Sequence, residues 1–228
     1  MKMSRRKRNI ILSILLCIIL AVWTAWGNTA LMVNAVTISN SLIPAAFSGF
    51  RIAQVSDLHN AEFGKNPQYD TLKAGLEAAG VIVLEDETVY LEQSGETIAL
   101  LGLADPDFTV KGDMFGEVPA MVSTKLRNLI DDESRYTILL SHRPELFETY
   151  GEGGIDLVLS GHAHGGQFRL PFIGGLVAPN QGLFPKYDAG LYTDGGTSMV
   201  VSRGIGNSII PFRFNNRPEI VLVELSAR

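Results

Sequence analysis

The chain has 228 residues, 46% of them hydrophobic and 19% charged, which describes one globular domain plus an additional apolar segment. No acidic residue precedes Phe50, so subtracting Lys2, Arg5, Arg6, Lys7 and Arg8 leaves 14 Lys+Arg against 24 Asp+Glu, a net of −10. A surface that acidic excludes nucleic acid as a partner.

Those five cations precede Ile10 to Trp26, a run of about 17 uncharged residues at the short end of what spans a bilayer. The pattern predicts a cytoplasmic basic segment over 1–8, a transmembrane signal anchor over 9–28 and a connecting strand and turns over 29–48. The domain proper then occupies 49–228. Cations resist translocation, so this places a single-pass protein in the cell membrane with its domain on the extracytoplasmic side. A cleaved signal peptide is the competing reading, because Ala30 and Ala35 follow the run. Ser4-Arg5-Arg6 is half of a twin-arginine signal, but Arg8 stands where that signal prefers an apolar residue. Cys17 is the only cysteine and follows Leu15 and Leu16, which argues against both a disulfide and a lipid anchor.

Leu31 to Ile38 reads as a strand, followed by turns at Ile43-Pro44 and Ser48-Gly49 and a second strand over Phe50 to Val55. Tyr69 to Ala79 has helical spacing and ends on Gly80 as a glycine cap. Val81 to Leu84 reads as a strand, and Thr88 to Leu91 with Thr97 to Leu103 as a hairpin turning through Gln93-Ser94-Gly95-Glu96. Val118 to Ile130 is a helix, Tyr136 to Leu140 a strand, and Pro144 opens a short helix over Glu145 to Tyr150. Ile155 to Leu159 is a buried strand, with further strands at Ser198 to Ser202 and Glu219 to Leu225. This mixture predicts an α/β fold, a layered sandwich.

All four histidines follow predicted strands: His59 in Ser56-Asp57-Leu58-His59-Asn60, His142 in Ser141-His142-Arg143-Pro144, and His162 and His164 in Ser160-Gly161-His162-Ala163-His164-Gly165-Gly166-Gln167. Neutral imidazole is the commonest protein ligand for transition metals, and the carboxyl ends of strands are where α/β sheets collect ligands. Asp57, His59, His142, His162 and His164 are therefore candidate metal ligands.

Asp57-Leu58-His59, Ser141-His142 and Gly161-His162-Ala163-His164 resemble three of the five motif blocks of the calcineurin-like metallophosphoesterases, in their membrane-anchored bacterial branch. Arg51 to Asn60, Gly204-Ile205-Gly206-Asn207-Ser208 and Asn216-Arg217-Pro218-Glu219-Ile220 carry the resemblance further. It implies a phosphoester hydrolase using two metals that clamp the phosphate and activate a bridging water. Asp57, His59 and His164 would hold one metal, while His142 and His162 would hold part of the other. The ligand types suit a divalent transition metal, manganese, iron or zinc, over calcium or magnesium. Gln167, Asn207, Arg213 and Arg203 are candidates to line a phosphate surface, the alternative being turn-stabilising polar groups. Phosphorylated or pyrophosphorylated lipid headgroups are the substrates that membrane attachment suggests, alongside soluble phosphodiesters.

Two family blocks are absent. A Gly-Asp block, whose aspartate bridges the metals, and a Gly-Asn-His-Glu block, whose histidine protonates the leaving group, should follow His59. Instead Phe63-Gly64-Lys65-Asn66-Pro67-Gln68 looks like a join, as if about two ~30-residue strand–helix units were deleted near 66–67. Glu62 or Asp70 are the nearest substitutes for the bridge, and Asp105 and Asp107 read as turn and cap residues. The sandwich is then incomplete, the general acid is missing, and at most one metal is expected. The chain is an impaired phosphoester hydrolase, a metal-binding or partner-binding remnant, or the deletion product of an intact enzyme.

Overall fold

A computed structural model describes residues 4–58, 67–106, 116–132, 134–207 and 212–228. Helix α1 (Arg5–Thr29) is N-capped by the Ser4 hydroxyl, which accepts from the Lys7 amide. At 25 residues it is about 37 Å long, enough to cross a hydrocarbon core of about 30 Å, and nearly all its side chains are exposed. It is the one described helix long and apolar enough to do so.

Strand β1 (Met32–Asn40) follows, then a 3₁₀ turn at Ala45–Phe47, β2 (Arg51–Gln54), α2 (Pro67–Ala78), and the hairpin β3 (Glu87–Gln93) and β4 (Glu96–Gly102). Next come α3 (Glu117–Leu129), β5 (Thr137–Leu140), α4 (Phe147–Glu152) and β6 (Leu157–Ser160). Short pairs β7 (Arg169–Leu170) with β8 (Gly174–Gly175) and β9 (Val177–Ala178) with β10 (Gly182–Leu183) precede β11 (Gly190–Asp194), β12 (Thr197–Val201) and β13 (Glu219–Ala227). The hairpin turn expected at Ser94-Gly95 forms with both residues at positive φ, which matches the twist of the flanking strands. Gly80 likewise caps α2 at φ +84°, and the Val81 amide returns to the Leu76 carbonyl at 3.0 Å.

Six strands form one sheet in the order β11-β12-β6-β5-β4-β3, with β12, β6, β5 and β4 mutually parallel and the two edge strands antiparallel. A second sheet has the order β1-β13-β2. Alternation along the strands sends Leu139, Val158, Met199 and Val201 to one face, where they meet Val122 and Leu126 of α3 and Phe147 and Tyr150 of α4. Ile138, Leu157, Leu159 and Val200 go to the other face, against Val221, Val223 and Leu225 of β13 and Phe47. The chain is thus a layered α/β sandwich: helices, six-stranded sheet, three-stranded sheet. The stretch 29–48 contributes β1, which pairs in parallel with β13 from Met32 to Asn40.

One expected strand does not form. Residues 81–84 are irregular, joining no ladder, and Val81 and Ile82 are exposed. A strand exists only where its amides and carbonyls find a neighbouring chain, and β2, which ends nearby, pairs with β13 alone among the described residues. Between β2 and the face of β4, β5 and β6 lies an open groove of about 680 Å³, lined by Ile52, Val55, Ile82, Leu84, Leu100 and Leu140, and reaching Asp57 and His142 at one end. Burying such side chains is the main favourable term in folding, at about 25 cal/mol per Å², and this groove leaves part of it unrealised.

An edge strand with solvent on one side has half of its amides turned outward. In hydrogen–deuterium exchange, β13, flanked on both sides, is expected to be protected, whereas alternate amides of β2 exchange at near-loop rates. Uniform protection of β2 would mean that another segment covers its edge.

Candidate metal centre

Both sheets bring their carboxyl ends to one place. Asp57 follows β2, His142 follows β5, His162 and His164 follow β6, and Arg203 and Gly204 follow β12. The Gln54 side chain, donating to the Ser160 carbonyl at 2.8 Å, ties β2 to β6 just below. His59, Glu62 and Asp107 lie outside the described residues, and the side chain of Asp70 is likewise outside them.

The Asp57 side chain has no solvent exposure. Its carboxylate accepts from the Ser56 hydroxyl at 2.8 Å and from the His162 amide, which lies 3.2 Å from each oxygen. Oδ1 stands 3.4 Å from His164 Nε2 and 3.7 Å from His142 Nε2. The His142 and His162 rings meet edge to face at 4.7 Å between centroids. Asp57, His142, His162 and His164 are therefore gathered into one cluster.

Backbone conformation shows how tightly the cluster is drawn. Asp57, His162, His164 and Gln167 all have positive φ, between 48° and 68°, a region that costs a non-glycine residue energy and persists where surroundings impose it. Around Asp57 those surroundings are two glycines. A Cβ on Gly161 would lie 2.5 Å from Asp57 Oδ2, and one on Gly204 would lie 2.5 Å from Asp57 Cβ. The amides of Ile205 and Gly206 then bond the carbonyls of Ser56 and Asp57 at 3.1 and 2.7 Å. Around His164 the clamp is Asn216, fully buried, whose amide donates to the carbonyls of His164 at 2.7 Å and Gln167 at 3.2 Å. Sequence gives Asn216 no chemical signal beyond the motif resemblance of its neighbourhood.

Burial, followed by the nearby His142 and Arg143, pushes the His162 imidazole down to about 4. It is thus neutral, the form that binds metal. Asn180 lies 3.3 Å from its Nε2 and also donates to Glu145 at 3.1 Å, a contact that sequence reading missed. Asp105, read as a turn or cap residue, instead takes the guanidinium of the buried Arg143 through bonds of 2.8 to 3.2 Å. The pair fixes the loop carrying His142, since a buried cation is retained only with a partner.

The four candidate phosphate groups are placed differently. Gln167 is buried and donates to the Phe212 carbonyl at 2.7 Å. Arg213 has no exposure and donates to the Gly206 carbonyl, while Arg203 is held beside Glu219, 3.6 Å from Nε to carboxylate. Asn207 lines a groove against α1. In this arrangement Gln167, Arg203 and Arg213 brace the loops around the cluster.

Carboxylate and neutral imidazole are the right donors for a divalent transition metal. Two ligands bonded at about 2.0–2.1 Å at tetrahedral angles stand about 3.4 Å apart, which is the spacing from Asp57 to His164 and, slightly opened, to His142. Among the described residues no three His, Cys, Asp or Glu side chains close around one point. The donors thus fit in kind and in pairs.

Known proteins similar to the chain are named for phosphoester chemistry. An uncharacterized metallophosphoesterase of Bacillus subtilis strain 168, YkuE, is 28% identical over 246 aligned positions covering 84% of each chain. A phosphodiesterase of Escherichia coli K12, YaeI, is 30% identical over 66% of this chain and 49% of its own length. The chain is thus similar, over most of its length, to proteins named as metallophosphoesterases. An uncharacterized protein of B. subtilis, YpbG, is 33% identical over 65% of this chain and 49% of its own length. The chain thus spans most of the first relative and about half of the other two. No family model and no solved structure matches. The alignment with YkuE is longer than this whole chain although only 84% of the chain takes part, so several tens of its positions face gaps here.

Gly161→Ala tests the cradle without a change of charge or of allowed backbone region. The added methyl displaces the Asp57 carboxylate and is expected to weaken metal binding by about 10–100-fold, as loss of a ligand's support does. Calorimetric titration with Mn²⁺ or Zn²⁺ checks this, and unchanged affinity would remove Asp57 from the ligand set.

Proposed function

We propose that the chain is a membrane-anchored, metal-dependent phosphoester hydrolase of impaired activity, derived from an intact relative by loss of two strand–helix units near residues 66–67. The observation that carries this is the groove beside β2, which opens where a parallel neighbour would lie and ends at Asp57 and His142. The gaps in the YkuE alignment and the unladdered segment 81–84 support the same reading.

Asp57, His164 and His59 would hold one divalent transition metal, with His142 and His162 as the remainder of a second site. Such a metal supplies charge for the phosphoryl oxygens and lowers the pKa of a bound water. The residues of this chain supply the rest. Asp57 holds its acceptor oxygens fixed through Ser56 and the His162 amide, His162 stays neutral, and Asn216 fixes the turn that presents His164. With the Gly-Asn-His-Glu block absent, the family's proton donor for the leaving alkoxide is lacking, a contribution of about 10²–10⁴ in rate. Phosphate or pyrophosphate headgroups of lipids are the substrates best matched to a site carried on α1, which in this reading spans the membrane once with the domain on the extracytoplasmic face. A second reading, a remnant that binds metal or a partner without turnover, is favoured by the same open groove.

Purified protein is expected to retain at most one equivalent of transition metal after dialysis, measured by elemental analysis; two equivalents would mean that another carboxylate bridges. With Mn²⁺ and an activated aryl phosphodiester, hydrolysis should stay barely above background. Inserting the two missing motif units between Asn66 and Pro67 should restore turnover, and His162→Ala should then abolish it. Robust turnover by the chain as it stands, lost in Asp57→Ala and His164→Ala, overturns the impairment.

A further inference from the structure

The loops beyond His164 expose apolar residues that neither the core nor the metal centre explains. Phe172 and Ile173 form the tip of the β7–β8 hairpin, and Leu183 and Phe184 end the β9–β10 hairpin; all four are well over half exposed, Phe172 completely. Phe172 and Phe184 both hold positive φ, so the backbone turns out of its preferred region with an aromatic ring facing solvent. Monomeric surfaces seldom collect large apolar side chains in this way without a partner.

The loops are joined to one another and to α1. Phe168, at the base of the β7–β8 hairpin, packs edge to face on Phe212 at 5.3 Å and bridges to Phe214, while the Leu176 amide bonds the Phe168 carbonyl and the Phe184 amide bonds the Leu176 carbonyl, both at 2.8 Å. Phe212 in turn lines a groove with Leu20, Ala21, Thr24 and Ala25 of α1. Next to it, Asn28 of α1 donates to the Arg213 carbonyl at 2.9 Å and accepts from the Arg213 amide at 2.6 Å. A side chain lying against Leu20 to Ala25 sits at the depth of the helix it touches. If α1 spans a bilayer, that depth is the boundary between acyl chains and headgroups, where Trp23 and Trp26 also lie, as interfacial tryptophans do.

We propose that the β7–β8 hairpin tip Phe172-Ile173 and the β10 end Leu183-Phe184, with Phe212, form a second membrane contact that inserts into the lipid interface beside α1. The occupant is the bilayer itself, because Phe212, joined to those loops through Phe168, lines a groove with the segment that enters it. The contact rests on the anchor reading given above, and deepens it: the Phe212 carbonyl is held by Gln167, three residues from His164, so the metal centre is held close to headgroup level.

The full chain in lipid vesicles tests this with an environment-sensitive fluorophore on single cysteines. Native Cys17, exposed on α1, reports the anchor. In a Cys17→Ser background, Phe172→Cys and Phe184→Cys report the loops, and Glu92→Cys in β3, at the far edge of the six-stranded sheet, is the aqueous control. Nitroxide-bearing lipid should quench the labels at 17, 172 and 184, with a lipid-to-iodide quenching ratio several-fold above that at 92. Labels at 172 and 184 that behave like the one at 92, while Cys17 is quenched by lipid, overturn the second contact and leave the anchor standing. A Cys17 label that lipid does not reach overturns the anchor, and the second contact with it.

Discussion

The arrangement depends on housing one carboxylate with its side chain buried. Asp57 has a fully buried side chain, and a buried charge is tolerated only where donors or cations replace its hydration. The Ser56 hydroxyl and the His162 amide donate to it, and the rings of His142 and His164 stand 3.7 and 3.4 Å away, so three loops converge on it. Each loop therefore has to arrive at a fixed distance. That requirement explains why residues 161 and 204 are glycine, where any Cβ would collide with Asp57, and why four non-glycine residues accept the left-handed region. Electrostatic need at one atom is converted into conformational cost at several others.

Those loops are held by the six-stranded sheet, and their precision is inherited from it. β5 and β6 are central, with every side chain buried except that of Leu140, so His142 and His162 start from fixed points. β2 is different. It is four residues long, paired on one side among the described residues, and flanked by the open groove. The carboxylate that organises the centre thus hangs from a short strand beside an open groove, and the cross-sheet bond from Gln54 to Ser160 is a principal restraint on it.

Much of this was legible in the residues. Strands with strong alternation or continuous apolar runs, such as 137–140 and 157–160, formed within a residue or two of their expected limits, as did the Ser94-Gly95 turn, because local chemistry alone decides them. The convergence of His142, His162 and His164 followed from their shared position after strands. Two kinds of feature were not legible. Val81 to Leu84 has the composition of a strand, but a strand is a property of a pair, and no pattern within the segment reports whether a neighbour stands beside it. Asp105 likewise looked like a turn residue because its partner Arg143 lies far along the chain and on another element. The short pairs β7 to β10 carry too few residues for periodicity to register.

The reciprocal bonds between Asn28 and Arg213 make α1 part of the loop system, and the Arg217 guanidinium adds a stack on Trp26 at 4.6 Å and bonds to the carbonyls of Ala30 and Leu31. A helix held this way cannot tilt or rotate independently of residues 212–217, which include the Asn216 clamp on His164. Transmembrane helices adjust to bilayer thickness by tilting, at a cost of fractions of a kcal/mol per ångström of mismatch. If α1 spans a bilayer, a helix so coupled makes the thickness of the membrane a mechanical load on the candidate metal centre, and lipid composition a setting of its geometry.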